Sequence, residues 1–176
     1  MRKFIIAAAL IFGVAFAASA QSKAVGGRMG YGFEASYQHY IQGDDFAEVT
    51  AGVYGVTAPR FLATASYNFI LAQPDWTSRG EWSIFAGPGI SLGYGRDISK
   101  VTINIDGIGD IEGPVYANSF SIAAMGQAGI EYTFWFPLQL SVDLRPQFGV
   151  AIGEGVRFYR DGILGFVPCL SARYMF

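Results

Sequence analysis

The chain has 176 residues, of which 52% are hydrophobic, 16% aromatic and only 15% charged, whereas ordinary globular proteins carry roughly 25% charged residues. This composition leaves too little charge to coat the surface of a soluble domain of this length. The formal net charge of −2 argues against nucleic acid as a partner, and the single cysteine, Cys169, excludes an internal disulfide.

The first element in chain order is an N-terminal targeting segment. Arg2 and Lys3 give a basic start, an apolar stretch follows, and Ala18-Ser19-Ala20 is a small-residue cleavage motif, which is the layout of a secretory signal peptide. An uncleaved membrane anchor is the disfavoured alternative, because the apolar run is shorter than the roughly 20 residues that span a bilayer. We therefore predict a cleaved signal peptide at residues 1–20 and one exported domain at residues 21–176.

Alternation of apolar and polar residues runs through the mature sequence, and no sustained helical period occurs. This pattern predicts an all-β domain. Eight strands are predicted, at about residues 28–41, 46–56, 60–71, 81–95, 97–105, 117–133, 138–152 and 164–176. The fifth of these, DISKVTINI, is predicted to be followed by a loop, GIGDIEGPV.

The stretch EWSIFAGPGISLGYG, residues 81–95, indicates which row of side chains faces inward. Its even positions are apolar or aromatic, whereas its odd positions, apart from Phe85, are glycine, serine or glutamate. In a soluble sheet the odd row would be a water-facing surface made largely of glycine, but in a narrow transmembrane barrel the small and polar row faces the lumen. We predict an eight-stranded antiparallel up-and-down transmembrane β-barrel, with a soluble lipocalin-like barrel as the alternative fold.

Aromatic residues set the height of the predicted membrane band. Trp82 and Tyr94 lie twelve residues apart on the apolar row of one strand, as do Phe120 and Tyr132 on another. Twelve residues at about 3.3 Å span about 40 Å, and a strand tilted by about 40° projects about 30 Å of this along the barrel axis, close to the ~25 Å apolar band of outer-membrane barrels. These four residues are the predicted membrane-girdle aromatics.

The opposite row carries more charged residues than a soluble core would accept. Inside a narrow barrel these charges can pair with one another, and eight strands leave room only for side chains. We predict a lumen plugged by a polar network, without an open aqueous channel, made by Glu34, Glu131, Asp143, Arg145 and Arg173.

Two further features concern the strands and their connections. Prolines within strands remove a ladder donor, so we predict β-bulges at Pro88, Pro146 and Pro168. The connections QGDD, AQPDWTSRG, GIGDIEGPV and EGVRFYRDG are predicted at one end of the barrel, and the shorter TAP, GRD and FWFP at the other, with both termini. Short turns on the periplasmic side are typical of outer-membrane barrels.

The last six residues, SARYMF, place Tyr174 and the terminal Phe176 on one row with Ala172 and Leu170. This ending is similar to the C-terminal assembly signal of outer-membrane proteins. With the signal peptide and eight strands, the chain resembles small outer-membrane β-barrels of the OmpA transmembrane, OmpX and OmpW type. The resemblance implies the outer membrane of a Gram-negative bacterium, recognition by the barrel-assembly machinery, contact with outer-membrane lipid and lipopolysaccharide, and a monomer.

The sequence predicts no catalytic, cofactor-binding or metal site. The only histidine, His39, falls on the lipid-facing row, where a structural role is favoured over catalysis. Asp143 and Arg145 share the inward row and are read as a lumen salt bridge in preference to a ligand pair. Because one fold hosts many functions, three remain open: a structural or surface-interaction barrel, which is favoured, a narrow conduit or binding protein for a small apolar solute, and a lipid A-modifying enzyme.

Overall fold

The computed structural model describes residues 23–30, 32–41, 45–54, 59–105, 109–153, 155–158 and 166–176, with backbone alone at 96–105 and 109–116. The predicted signal peptide, residues 1–20, lies outside the described residues. Within the described ranges, no helix is long and apolar enough to cross a membrane.

The described residues form antiparallel strands that follow one another around a closed ring. The segments are β1 (Lys23–Met29), β2 (Gly32–Tyr40), β3 (Phe46–Tyr54), β4 (Arg60–Ala72), β5 (Glu81–Ile105), β6 (Gly109–Thr133), β7 (Leu138–Leu144), β8 (Gln147–Ile152), β9 (Val156–Phe158) and β10 (Cys169–Met175). β8 continues β7 along β6, and β9 lies beside β8 as β10 lies beside β7. The ring therefore has eight positions, and the predicted eight-stranded up-and-down barrel is confirmed.

The ring closes where β10 pairs with β1. Val25 lies opposite Tyr174 in this pairing, and Lys23 and Phe176 exchange two backbone hydrogen bonds of 2.9 and 2.8 Å. Lys23 and Phe176 therefore lie at the same end of the barrel, which we call the terminal end; the opposite end is the far end.

Side-chain alternation separates a polar interior from an apolar exterior. Ile90 and Leu92 on β5 are 58% and 40% exposed, whereas Glu34 and Arg145 are 6% and 3% exposed. Successive side chains of a strand point to opposite faces, so each strand contributes one row to the lumen and one to the outer surface. This assignment of rows agrees with the one inferred from residues 81–95.

Two strand predictions are wrong although the count of eight is right. β1 was not predicted as a strand, because Gly26 and Gly27 interrupt its alternation. The predicted fourth and fifth strands are one strand, β5, and most of the predicted loop GIGDIEGPV is the start of β6. The two errors compensate in the count.

Because β1 was not predicted, three connections were assigned to the wrong end of the barrel. Because β1 precedes β2, the strand ends that flank QGDD lie at the terminal end, together with AQPDWTSRG and FWFP, and the strand ends that flank TAP lie at the far end. Residues 42–44 and 55–58 themselves lie outside the described residues. At the far end β5 and β6 extend beyond their neighbours. Their pairing continues from Gly95 to Ile105, whereas the described pairing of β4 stops at Gly95 and that of β8 at Phe120.

The three prolines at which bulges were predicted differ in their effect on the strand register. The register with β6 is unchanged across Pro88 and across Pro146, so the bulges predicted there are wrong. Pro146 interrupts the ladder between β7 and β8 without an extra residue, and its carbonyl accepts a bond from Gly126 N at 3.0 Å. Pro168 directly precedes β10, and residues 159–165 lie outside the described residues, so the bulge predicted there stays a prediction.

Gly87 explains how β5 passes Pro88 without a bulge. The β4–β5 ladder is interrupted opposite Gly87 and Pro88, and a Cβ on Gly87 would lie 1.8 Å from the carbonyl oxygen of Tyr67. The two backbones therefore approach each other more closely than any residue with a side chain would allow.

We expect Gly87→Ala to destabilise the barrel by about 1–3 kcal/mol, the usual cost of overpacking, because backbone atoms of β4 cannot rotate away. Gly27→Ala is the matched control, since a Cβ there meets nothing within 4 Å, and it should change stability by less than about 0.5 kcal/mol. Urea unfolding of the two refolded variants measures the difference. Equal stabilities would contradict the close approach.

Candidate functional site

The candidate site is the lumen, which is lined by polar side chains from every strand around the ring. Seven charged residues come from six of the eight ring positions, and serine, threonine and glutamine surround them. The buried charged residues are Arg28, Glu34, Glu48, Glu131, Asp143, Arg145 and Arg173. Each lies on the inward row because alternation along its strand places it there.

The first cluster joins β1, β2 and β7. Arg28 lies opposite Glu34 in the β1–β2 register, and its Nη1 donates to both carboxylate oxygens at 3.2 and 3.3 Å. The Nε of Arg28 donates to Asp143 Oδ2 at 3.2 Å, and its Nη2 pairs with Asp143 Oδ1. Arg28 thus bridges two carboxylates across the lumen.

The second cluster is centred on Glu48 of β3. Arg145 Nη2 lies 2.8 Å from Glu48 Oε2, and Arg173 Nη2 lies 2.7 Å from Oε1. Ser36 and Gln127 also donate to this carboxylate, at 2.7 and 2.8 Å. One carboxylate therefore meets two guanidinium groups and two neutral donors.

Arg145 connects the two clusters. Its Nη1 lies 3.3 Å from Glu34 Oε2, and the same nitrogen donates to the hydroxyls of Thr50 and Thr64 at 3.2 Å each. Ion pairs consequently run without a break from Asp143 through Arg28, Glu34, Arg145 and Glu48 to Arg173. We call these six residues the lumen ion-pair network.

The network places opposite charges together where water is largely excluded. A buried charge without a partner costs several kcal/mol, and removing one member of a buried pair commonly costs 3–5 kcal/mol. One of its ion pairs, Arg145–Glu48, joins β3 to the segment after β7, four ring positions away, so the network ties opposite walls of the barrel to each other. This arrangement can brace the ring and obstruct the lumen.

Four of the five residues predicted for the lumen, Glu34, Asp143, Arg145 and Arg173, meet in this network. Glu131 is also buried, at 2% exposed, but its contact is a different one: it accepts a hydrogen bond from Tyr40 Oη at 2.8 Å. In the described ranges it forms no ion pair with the other four.

Two network members, Arg28 and Glu48, were not singled out from the sequence. Both share the inward parity of their strands, with Glu48 opposite Gln38 of β2. The signal that identifies Glu48 is this parity together with its position across from other polar inward residues. Arg28 lies in β1, whose alternation is weak.

The four predicted girdle residues form two cross-strand pairs on the outer surface. Trp82 lies opposite Tyr132, and Tyr94 lies opposite Phe120. The rings of Trp82 and Tyr132 are 4.7 Å apart. Tyr94 and Phe120 are 57% and 43% exposed.

The terminal-end pair belongs to a longer run of aromatic contacts. Neighbouring ring centroids lie 4.6 to 5.5 Å apart along the series Trp76, Trp82, Tyr132, Phe134, Phe136 and Trp135. Tyr132 Oη also donates to the carbonyl of Arg79 at 2.6 Å, which fixes the connection between β4 and β5 against this surface. The sequence indicated only two members of the run.

The remaining predicted residues lie on the outer wall or at the seam. Tyr174 is 48% exposed and lies between Val25 and Leu138 on the neighbouring strands, and Phe176 pairs with Lys23. His39 lies on the outer row of β2. Among the described residues, no three His, Cys, Asp or Glu side chains are grouped as a metal site would require.

The outer surface near the seam also carries an apolar groove of about 590 Å³. Small residues, Gly27 of β1 and Ala172 of β10, lie opposite each other at its floor, and larger apolar side chains rim it. The rim includes Met29, Phe33, Leu140, Val142 and Leu170.

Comparison with solved structures finds similar chains. The N-terminal β-barrel domain of Pseudomonas aeruginosa OprF aligns over 89% of this chain and 96% of its own length, at 14% identity and a TM-score of 0.50. At this identity the likeness to the OprF domain shows the fold alone. The outer membrane protein Ail of Yersinia pestis aligns over 89% of this chain and 98% of its own, at 12% identity and a TM-score of 0.38.

No protein-family model and no curated protein matches the sequence. The chain thus has the fold of small eight-stranded outer-membrane barrels, as the sequence predicted.

Proposed function

We propose that the protein is a non-enzymatic, monomeric outer-membrane β-barrel of a Gram-negative bacterium with a structural or surface-interaction role. The observation that carries this proposal is the inverted distribution of polarity. Charged and amide side chains are buried in the lumen, whereas large apolar side chains of the strands are exposed, including Phe33 at 71%, Phe148 at 65% and Leu170 at 58%.

An apolar outer surface suits acyl chains because a closed barrel leaves no backbone group of its strands unpaired in hydrocarbon. The aromatic pairs Trp82–Tyr132 and Tyr94–Phe120 lie at the two ends of the apolar band, where aromatic residues are enriched in membrane barrels. Outer-membrane lipid and lipopolysaccharide are accordingly the partners of this surface. Tyr174 and Phe176, at the seam, act as the signal for the barrel-assembly machinery.

The lumen ion-pair network supports a closed interior. An eight-stranded barrel leaves just enough space for side chains, and here arginine and glutamate side chains from opposite walls meet in that space. The protein therefore provides a rigid wall, not a pore. The far end, with the extended β5–β6 hairpin, is the part that faces outward from the cell when the termini are periplasmic.

Cell fractionation and bilayer recording test the proposal. The protein is expected in the outer-membrane fraction and to migrate differently on a gel with and without boiling, because the barrel resists detergent until heated. In planar bilayers the refolded protein should show no stable conductance. A 16-stranded porin, which has an open aqueous channel, is the positive control. A steady conductance, or an apolar solute retained by the refolded protein, would favour the conduit.

Lipid A from cells with and without the gene distinguishes an enzyme from a structural barrel. Identical mass spectra are expected. A change in the number of acyl chains or in the head group would contradict a non-enzymatic role.

A further inference from the structure

The buried charges of the barrel do not balance. Three arginines face four carboxylates among the buried side chains of the described residues. The three arginines and the carboxylates of Glu34, Glu48 and Asp143 are joined by ion pairs. Glu131 is the remaining carboxylate, and when it is ionised it leaves one negative charge unbalanced.

Glu131 meets two amide side chains at the hydroxyl of Tyr40. Tyr40 Oη donates to Glu131 Oε1 at 2.8 Å and lies 3.5 Å from Gln38 Oε1. Tyr40 Oη also accepts a hydrogen bond from Gln139 Nε2. Gln38 and Gln139 are fully buried and Glu131 is 2% exposed. The four side chains form one compact group, which we call the Tyr40 group.

Two of the side chains around Tyr40 have a second, acceptor oxygen without a hydrogen-bond donor. These atoms are Glu131 Oε2 and Gln139 Oε1. Each is bonded to the same carbon as an atom that contacts Tyr40 Oη, so both lie close to that hydroxyl. Buried polar atoms are rarely left without a partner.

The charged side chain that lies nearest to the Tyr40 group in the strand register already has its hydrogen-bond partners. Arg173 lies opposite Gln139 in the β10–β7 pairing, but its guanidinium donates to Ser36, Ser141 and Glu48 at 2.7 to 2.8 Å. The residues opposite Glu131 on its two neighbouring strands are the uncharged Ser83 and Ser141.

We propose that the Tyr40 group binds one small monovalent cation, Na⁺ or K⁺, through Glu131 Oε2 and Gln139 Oε1. One positive charge balances the excess carboxylate, whereas a divalent ion would leave a buried positive charge and normally requires six or more oxygens with several carboxylates. The site goes beyond the barrel's structural role, because it makes the stability of the lumen depend on a specific ion.

Thermal unfolding of the full barrel refolded in detergent tests the site. In 100 mM NaCl or KCl the midpoint is expected about 2–6 °C above that in 100 mM choline chloride, and to rise with the logarithm of cation concentration. Choline keeps the ionic strength but is too large for the space. Line broadening of ²³Na that is reversed by K⁺ gives a direct readout of binding.

Glu131→Gln removes the charge and keeps the acceptor for Tyr40. This variant is expected to unfold at the same temperature in NaCl and in choline chloride and to leave the ²³Na line narrow. Gln139→Leu keeps the carboxylate but loses one ligand, so its cation dependence should shift to at least tenfold higher concentration. Ser83→Ala, a lumen control, should behave as the wild type.

Two outcomes overturn the proposal. Equal wild-type midpoints in all three salts, with stability falling as pH rises, would show that a proton neutralises Glu131. Unchanged cation dependence in Glu131→Gln would place the ion elsewhere. Neither outcome bears on whether the barrel spans a bilayer.

Discussion

Replacing Glu48 with glutamine is expected to lower the free energy of unfolding by about 3–5 kcal/mol, the usual cost of breaking a buried ion pair from one side. Glutamine has the same shape, so the loss comes from charge and not from a cavity. Arg173 would retain no carboxylate among its described contacts, and Arg145 would retain Glu34 at 3.3 Å and Asp143 at 3.6 Å. Urea unfolding in lipid vesicles, followed by tryptophan fluorescence, measures the change.

Two controls separate charge balance from general damage to the lumen. Adding Arg173→Met to Glu48→Gln removes the arginine left without a carboxylate, and the double variant should recover part of the loss, with a coupling energy of about 1–3 kcal/mol. Ser91→Ala, buried on the inward row of β5, should cost less than about 1.5 kcal/mol. If Glu48→Gln costs no more than Ser91→Ala, the ion pairs do not stabilise the barrel.

Replacing Ile90 with arginine is expected to destabilise the barrel by about 2–4 kcal/mol, the cost of arginine at the middle of the lipid-facing surface. Ile90 lies between the two aromatic pairs, opposite Ala65 and Ala124, and is 58% exposed. The residues opposite it are small and Ile90 itself is exposed, so the loss of stability reports on the surroundings of the outer wall. Unfolding in lipid vesicles gives the value.

The same substitution at Val156 provides the matched control. Val156 is 71% exposed on β9 at the far end, where arginine should cost about 0–1 kcal/mol. On a water-soluble barrel, both substitutions would lie within about 0.5 kcal/mol of the wild type. Equal costs at the two positions would therefore contradict a membrane-embedded outer wall.

The fold was predictable where bulky apolar side chains alternate with small or polar ones along a strand. In β5 and β6, bulky outward residues such as Ile90 and Ile122 alternate with small inward ones, and the assignment of sides follows directly. β1 has no such contrast, because Gly26 and Gly27 occupy successive positions. Because β1 was not predicted, the first three connections were assigned to the wrong ends of the barrel.

The prediction for the far end of β5 was wrong for a different reason. Gly95, Arg96 and Asp97 form a turn-like sequence, and Gly113 and Pro114 suggest a loop. Pairing overrides both signals, since β5 and β6 hydrogen-bond each other through Ile105 and Gly109. Local turn propensity therefore misled the prediction where a long-range partner was available.

The lumen was predictable as a set of inward charges but not as a set of contacts. Parity places Glu34, Glu131, Asp143, Arg145 and Arg173 on the inward row. It does not say how far along the barrel each residue lies, because this height depends on the stagger between strands that are distant in sequence. For that reason Glu131 was grouped with residues that it does not contact.

The seam between β1 and β10 has a consequence for biogenesis. It joins the first and last strands of the ring, which are separated by nearly the whole described chain, so it is the pairing with the greatest loop-closure cost. Until it forms, both strands present open edges that hydrocarbon cannot solvate. We therefore expect entry into the bilayer and closure of the β1–β10 seam to occur together, because neither open edge is tolerated in hydrocarbon.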